Sequence, residues 1–306
     1  MSVLVAISRR DNTKLIAKLS ARLAGIKIEQ WPDCDDPRGI KFVLAWNAPL
    51  DMWQQLPNLK VVSSFGAGVD SIDLSVLEET VQVVRIVDTQ LANDMADYVL
   101  THVLAHKLRL KEYFIKQANE TWKPKRALHF NHVGLLGYGE LAKVCAAKLL
   151  KNDFTVSAWA NHPREDSNVE LHFGLSGLNK MLPVVDVLVC LLPLTPTTKG
   201  IINSELLDKL PAHAIVINVA RGQHVIDSDL IDALDSNKIA AATLDVFNEE
   251  PLSPNHPFWS HPKITITPHC AALSDINNVV EQIAHNINCF NDKVPLINKI
   301  NRTKGY

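Results

Sequence analysis

Short apolar runs alternate with helical patterns along the first ninety residues. Four Val-rich runs, bounded by polar residues or glycine, predict buried strands of a parallel sheet at 2–8, 42–46, 61–65 and 81–87. Between the first two, Leu15, Ile16, Leu19 and Leu23 share one helical face and predict a helix over 12–23. A longer helical pattern with few breakers runs from about 91 to 118, and 122–126 reads as a linker.

A second series of the same kind begins near residue 130. It predicts strands at 130–136, 155–159, 185–191, 214–219, 240–244 and 264–267, and helices at 140–151, 227–236 and 274–290. Asp227 and Ser228 are candidate caps for the second of these helices. Two successive βα series predict an α/β fold of two doubly wound lobes, with the long helix crossing between them. The last helix could return to the first lobe.

Composition narrows the class of protein. The chain carries 31 basic and 33 acidic residues, a net charge of −2, which argues against binding to nucleic acid or an acidic membrane surface. The five cysteines include no C-x-x-C pair, so we expect buried thiols in a reducing compartment and no disulfide framework or metal site. No basic segment precedes the short apolar N-terminus, and no apolar run is long enough to span a bilayer. We therefore expect a cytoplasmic protein.

A glycine-rich turn lies between a predicted strand and a predicted helix. Gly137, Gly139 and Ala142 have the G-x-G-x-x-A spacing, which permits a tight turn, close approach of a pyrophosphate and close packing of helix on sheet. The free N–H groups of the helix N-terminus favour phosphate. We expect this segment, with Tyr138, Glu140 and Leu141, to bind a dinucleotide; the alternative is a purely structural glycine turn.

The end of the next predicted strand indicates which dinucleotide. Ala160 stands about where an Asp or Glu would bind the adenosine ribose of NAD, after Trp159. Asn161, His162 and Arg164 follow and could instead receive a 2′-phosphate. The sequence therefore favours NADP(H), with NAD(H) possible and a plain polar surface loop as the alternative.

Chemically active side chains follow three successive strands near the C-terminus. Arg221 follows the strand at 214–219, Asp245 and Glu250 follow the next, and His269 follows the last. Ligands of α/β sheets bind at the carboxyl ends of strands, where Arg can hold a carboxylate and a His paired with a carboxylate can donate a proton.

A second glycine cluster lies at 65–70, after another predicted strand. Its spacing is poor for a dinucleotide site. Its N–H groups could bind a small carboxylate, and the alternative is that the cluster forms only a turn.

These motifs, in this order, resemble the D-isomer-specific 2-hydroxyacid dehydrogenases, and most closely the glyoxylate/hydroxypyruvate reductase A group. The resemblance is carried by 65–70, 95–99, 133–139, 191–198, 218–222, 244–251 and 267–269. It implies a Rossmann cofactor domain (98–274) inserted in a flavodoxin-like, discontinuous substrate domain (1–97 and 275–306). It also implies a homodimer formed through the cofactor domain.

The resemblance also implies roles for individual residues. Arg221 matches the arginine that holds the substrate carboxylate and carbonyl, His269 the proton donor and Glu250 its carboxylate partner, while Glu249 matches no functional position. The substrate carboxylate would bind the N–H groups of Ala67 and Gly68, beside Trp46. The residues implied around the cofactor are Leu192, Pro193, Thr198, Val219, Ala220 and Asp245.

The implied reaction is reduction of small 2-oxo acids, glyoxylate and hydroxypyruvate, by a nicotinamide cofactor. Glu250 stands where formate-type relatives have Gln, which favours carbonyl reduction. One departure weakens the expected NADPH preference. The closest group has a basic run directly after the position of Trp159, whereas here the arginine, Arg164, comes several residues later. Two alternatives remain, an NAD-linked D-2-hydroxyacid dehydrogenase acting on substrates such as D-lactate and a non-enzymatic dinucleotide sensor on the same scaffold.

Overall fold

The chain divides into two units, one of them discontinuous. The structure, a computed structural model, describes residues 2–8, 10–161, 163 and 165–302. The first unit combines Met1–Gln90 with Ser274–Tyr306, and the second is Leu91–Leu273. The sequence analysis set the two junctions slightly later, after residues 97 and 274.

Five parallel strands form the sheet of the first unit, in the order β2-β1-β3-β4-β5. They are β1 (Ser2–Ile7), β2 (Lys27–Gln30), β3 (Ile40–Trp46), β4 (Val61–Ser64) and β5 (Gln82–Val84). The order corresponds to 2-1-3-4-5, the flavodoxin-like doubly wound arrangement that the family resemblance implies. The α-helices of this unit are α1 (Thr13–Arg22) and the last helix of the chain, α8 (Ile276–Asn291).

Helix α8 does return to the first unit. Its Val279, Ile283 and Ile287 are fully buried in one apolar core with Leu15 and Leu19 of α1 and residues of β1 and β3. At the rim, Lys18 Nζ donates to Asn277 Oδ1 across 2.8 Å. The first unit therefore depends on a helix that lies more than 250 residues downstream of its partner.

Seven parallel strands form the sheet of the second unit, in the order β12-β11-β10-β9-β6-β7-β8. They are β6 (His132–Leu136), β7 (Thr155–Ala160), β8 (Glu170–Phe173), β9 (Val187–Cys190), β10 (Ile215–Asn218), β11 (Ala241–Leu244) and β12 (Ile264–Ile266). The strand order reverses between β6 and β9, as in a Rossmann domain, and the crevice at that point is where such sheets bind ligands.

The helices around this second sheet have the following bounds. They are α2 (Thr89–Lys107), which begins two residues before the junction, α3 (Leu110–Ala118), α4 (Glu140–Leu150), α5 (Gly174–Met181), α6 (Ser204–Leu207) and α7 (Asp227–Asp235). Short 3₁₀ turns complete the two units at Pro37–Gly39, Leu50–Gln55, Leu74–Val76, Leu182–Val184, Gly222–His224 and Pro257–Trp259.

Two sequence predictions about helices are wrong. The single helix expected over 91–118 is two helices, because Arg109 adopts a left-handed conformation (φ 61°) and its Nε donates to Arg126 O. Asp227 and Ser228 do not cap α7, which has Ile226 at its N-cap. The Asp227 carboxylate instead accepts from Asn248 Nδ2 at 2.9 Å.

The expectation of buried thiols holds for three of the five cysteines. Cys145, Cys190 and Cys289 are buried, Cys34 is half-buried and Cys270 is exposed. In the described part of the chain, no helix is both long and apolar enough to span a membrane. The same residues contain no group of three or more His, Cys, Asp or Glu side chains able to hold a metal ion.

Candidate active site

The glycine turn between β6 and α4 has the geometry of a phosphate site. Gly137 has a φ of +100°, which only glycine adopts without strain, and a Cβ there would lie 3.0 Å from the Leu191 carbonyl oxygen. At Gly139 a Cβ would meet nothing within 4 Å, so open space lies over the turn. Gly137 therefore permits the turn, and Gly139 leaves room for a ligand at the crevice between β6 and β9.

Helix α4 presents its N-terminus at this turn. Gly139 is its N-cap residue, and no side chain of the described residues caps the helix. Ala142 is almost completely buried against the sheet, as the close packing of α4 requires. Free N–H groups and the positive end of the helix dipole therefore face the open space over Gly139. These features fit a dinucleotide pyrophosphate.

Two other residues expected at the cofactor have buried side chains with structural partners. Tyr138 donates its hydroxyl to Asp166 Oδ2 at 2.5 Å, and this bond lowers the pKa of Asp166. Trp159 belongs to the apolar core and donates its indole N–H to Gly174 O at 2.8 Å. Both side chains therefore stabilise the protein around the glycine turn.

The loop expected to receive the 2′-phosphate is described in part. Asn161 is exposed directly after β7, whereas His162 and Arg164 lie outside the described residues. In the segment after β9, Leu192 is buried and Pro193 is exposed. The Thr198 hydroxyl donates to Pro193 O at 2.7 Å and so fixes the conformation of this segment.

Arg221 follows β10 in a tightly built loop. Asn218, at the end of β10, donates from Nδ2 to Arg221 O at 2.8 Å and accepts from Ala220 N–H at 3.1 Å. The next residue must be glycine, because a Cβ on Gly222 would lie 1.8 Å from the Phe247 carbonyl carbon. The half-buried Arg221 side chain donates from Nη1 to Ala220 O at 2.6 Å. The loop thus sets the guanidinium at the carboxyl end of β10.

His269 and Glu250 form a pair at the carboxyl ends of β12 and β11. His269 Nδ1 lies 2.7 Å from Glu250 Oε2, and Glu250 Oε1 accepts from Phe247 N–H at 2.9 Å. Burial alone would raise the pKa of Glu250. The bonds from His269 and Phe247 and the charges of His269 and Arg221 outweigh burial and hold that pKa below its usual value. An ionised Glu250 only accepts, so Nδ1 carries a proton and Nε2 is left for a ligand.

Asp245, at the end of β11, is buried under the loop that carries His269. Oδ1 accepts from the Thr267 hydroxyl at 2.5 Å and from Cys270 N–H at 2.9 Å, and Oδ2 accepts from Ala271 N–H at 3.0 Å. A carboxylate offers about four acceptor positions, so these bonds use most of them. Asp245 therefore shapes the His269 loop, a role that the sequence analysis did not assign to it.

The residues expected to bind substrate in the first unit lie at the ends of β3 and β4. Ser64 and Arg85 hold the 65–68 loop, donating to Gly68 O at 2.6 Å and to Ala67 O at 3.2 Å. Among the hydrogen bonds of the described residues, none uses the N–H of Ala67 or Gly68. The Trp46 ring packs on Gly66, where a Cβ would come within 2.4 Å of it. The loop thus offers two N–H donors beside an indole ring.

The sequence analysis missed the residues that hold Arg221 in place. Asn218 is fully buried, and so is His224, whose Nδ1 accepts from Arg221 N–H at 3.3 Å. An Asn at the end of an otherwise apolar strand was the available signal for Asn218. The role of His224 depends on the 3₁₀ turn at Gly222–His224, which the sequence pattern did not reveal.

Comparisons with known proteins point to one family. The family model of the D-isomer specific 2-hydroxyacid dehydrogenase NAD binding domain matches residues 100–271, more than half of the chain. The glyoxylate/hydroxypyruvate reductase A of Yersinia enterocolitica is 36% identical over 299 residues, 95% of each chain. That of Serratia proteamaculans is 39% identical over 280 residues, 89% of each chain.

A solved structure shares the whole fold. The NADPH-dependent glyoxylate/hydroxypyruvate reductase of Sinorhizobium meliloti, in complex with NADP and sulfate, matches with a TM-score of 0.91 and 32% identity, covering 100% of this chain and 99% of that one. The α/β architecture, the glycine turn at the strand-order reversal and these likenesses agree. The chain belongs to the D-isomer specific 2-hydroxyacid dehydrogenase family.

Proposed function

We propose that this protein reduces small 2-oxo acids, glyoxylate and hydroxypyruvate, to 2-hydroxy acids with NADPH. The observation that carries the proposal is the His269–Glu250 pair, 2.7 Å apart, with Arg221 at a neighbouring strand end of the same sheet. The names of the Yersinia and Serratia relatives and the NADP bound to the Sinorhizobium enzyme support the reaction and the cofactor.

His269 is the proposed proton donor. Its Nδ1–H is held by Glu250, so a doubly protonated ring directs Nε2–H to the carbonyl oxygen of the substrate. Glu250 stays ionised because its pKa is lowered, and its charge stabilises the imidazolium. When bound, the reduced nicotinamide supplies the hydride that adds to the carbonyl carbon.

Arg221 is the proposed anion-binding residue. A guanidinium can bind a carboxylate through two parallel N–H bonds and also stabilise charge that develops on a carbonyl oxygen. A contact of the second kind is typically worth about 3 kcal/mol in the transition state. We propose that Ala67 and Gly68 bind the substrate carboxylate through their N–H groups and that Trp46 limits the size of the side chain accepted.

The cofactor site follows from the glycine turn. We propose that Gly137–Leu141 bind the pyrophosphate, that Leu192, Pro193, Thr198, Val219 and Ala220 line the nicotinamide ribose, and that Asp245 lies near the carboxamide. Trp159 would support the adenosine end. Asn161, His162 and Arg164 would bind the 2′-phosphate, which no carboxylate at position 160 opposes.

We also propose a homodimer, a cytoplasmic location and a Rossmann domain over 98–274. Exposed apolar side chains gather around α3 and the segment after it, which supports a second copy docking there: Leu108, Leu110, Phe114, Ile115 and Trp122. Light scattering of the wild type and of Phe114→Glu tests this assembly. A monomeric wild type would contradict it.

The test of function is loss of reduced-nicotinamide absorbance with glyoxylate, hydroxypyruvate and pyruvate, using NADPH and then NADH. We expect rapid turnover of the first two with NADPH and near-complete loss in His269→Ala. Fast turnover of pyruvate with NADH would favour the D-lactate-type alternative. Tight cofactor binding without turnover of any 2-oxo acid would favour the sensor. A His269→Ala variant with wild-type turnover would refute the proposed mechanism.

A further inference from the structure

A partly buried chain of hydrogen bonds runs from α2 to the loop that carries His269. The Tyr98 hydroxyl lies 2.6 Å from Thr267 Oγ1, and Thr267 Oγ1 lies 2.5 Å from Asp245 Oδ1. All three residues belong to the second unit, and none was assigned this role from the sequence. Asp245 is only 1% exposed, so its carboxylate depends on these protein donors rather than on water.

The direction of this chain follows from the number of protons. Thr267 has one hydroxyl proton and donates it to the Asp245 carboxylate, which only accepts. Tyr98 must therefore donate to Thr267 Oγ1. Burial raises the pKa of Tyr98, so its phenol stays protonated and able to donate near neutral pH. The ring of His102, tilted by 41° with its centroid 4.3 Å from that of Tyr98, limits the rotation of the phenol.

Asp245 in turn holds the backbone around His269. Its carboxylate accepts from the N–H groups of Cys270 and Ala271, and its carbonyl oxygen accepts from His269 N–H at 2.7 Å. His269 has a φ of +51°, a left-handed conformation that a non-glycine residue keeps only when its surroundings hold it. The three N–H bonds provide that support.

We propose that Tyr98 and Thr267 are positioning residues for the reaction: they orient the Asp245 carboxylate, which fixes the backbone that aims His269 at the substrate. The inference rests on the proposed role of His269 as proton donor. Neither residue touches substrate or cofactor in this scheme. Without the Thr267 hydroxyl, Asp245 loses one of its donors and is free to rotate away from Cys270 and Ala271.

The experiment compares three variants in the full-length protein. Thr267→Val keeps the shape and removes the hydroxyl, Thr267→Ser keeps the hydroxyl, and Tyr98→Phe removes only the first donor. The single-turnover rate of NADPH oxidation with glyoxylate isolates the chemical step. We expect it to fall about tenfold in Thr267→Val, about threefold in Tyr98→Phe and less than about twofold in Thr267→Ser. The KM for glyoxylate and the Kd for NADPH should change by less than about twofold.

Several results would overturn the proposal. The first is a wild-type single-turnover rate in Thr267→Val. The second is a Thr267→Val variant in which only the KM for glyoxylate changes. The third is an equal fall of the single-turnover rate in Thr267→Ser and Thr267→Val. If Thr267→Val fails to fold, as judged by its thermal melt, a wild-type rate in Tyr98→Phe is decisive against it.

A readout independent of turnover separates this inference from the proposed function. The NMR resonance of the His269 ring, assigned by its absence in His269→Ala, should shift in Thr267→Val and stay in place in Thr267→Ser. If the wild type fails to reduce any 2-oxo acid, the proposed function is wrong, and the resonance still reports whether Thr267 orients His269. An unshifted resonance in Thr267→Val overturns the positioning role whatever the activity.

Discussion

Glu250→Gln tests the charge that the structure places behind the proposed proton donor. Glu250 accepts two hydrogen bonds, one on each oxygen, from His269 Nδ1 and from Phe247 N–H. Glutamine has nearly the same shape but only one oxygen, so its NH₂ group must face one of these two donors. The substitution therefore removes the negative charge and also disrupts one of the bonds, without opening a cavity.

The size of the effect follows from the geometry. With Nδ1 and Oε2 2.7 Å apart, the charge centres lie about 4 Å apart, where a unit pair is worth ~1 kcal/mol in water and ~4 kcal/mol near a protein surface. The two side chains are 45% and 35% exposed, so solvent screens the pair and the lower part of this range applies. A loss of ~1–2 kcal/mol corresponds to a fall in kcat of about 5- to 30-fold near neutral pH.

The assay is the kcat of glyoxylate reduction by NADPH near neutral pH. Glu250→Gln should lower this kcat by the factor given above, because the charge and one hydrogen bond behind His269 are lost. Glu249→Gln is the matched control, since it removes the same charge from an exposed neighbour in the same loop. A Glu250→Gln variant with the wild-type kcat, or a Glu249→Gln variant with the same loss, would refute the reasoning.

Three further predictions concern backbone space and burial. Gly222→Ala places a Cβ only 1.8 Å from the carbonyl carbon of Phe247. We expect urea unfolding to show a destabilisation of ~3 kcal/mol or more. A loss below ~1 kcal/mol would contradict so close an approach of the two backbones. Gly139→Val fills open space and should fold normally, yet weaken NADPH binding at least tenfold by calorimetry; wild-type affinity would place the pyrophosphate elsewhere. Burial lowers the pKa of His106 to about 4, so the unfolded chain binds this proton first as pH falls below about 6.5. Urea unfolding should show ~3 kcal/mol of stability lost between pH 7 and 4, and His106→Gln should abolish that part of the loss.

The sequence revealed the parts of the fold and site that depend on local pattern. Val-rich runs marked the central strands, and the spacing of Gly137, Gly139 and Ala142 marked the turn at the strand-order reversal. Two of the four edge strands, β2 and β8, were not predicted because they are short and at least half polar, so no apolar run marks them. The break between α2 and α3 was missed because its left-handed residue is Arg109, where a glycine would have been a signal.

The supports of the site depend on contacts that no local pattern encodes. Tyr98 and Thr267 are 169 positions apart, and their hydrogen bond exists only once α2 packs against the sheet. The place of Asp245 at a strand end indicated that it lies in the site, but not that its buried carboxylate accepts three hydrogen bonds from the loop that carries His269. Strand ends therefore predict which residues gather, but not which contacts each of them makes.

The pairing of α1 with α8 has a consequence for how the protein is made. During synthesis the segment before residue 91 leaves the ribosome with the apolar faces of α1, β1 and β3 uncovered, because α8 has not yet been translated. The second unit lies between them in the chain and has its own core, so it can fold while the first unit waits. A nascent chain paused before α8 would expose that uncovered apolar surface, the kind of surface that makes an incompletely folded chain prone to aggregate.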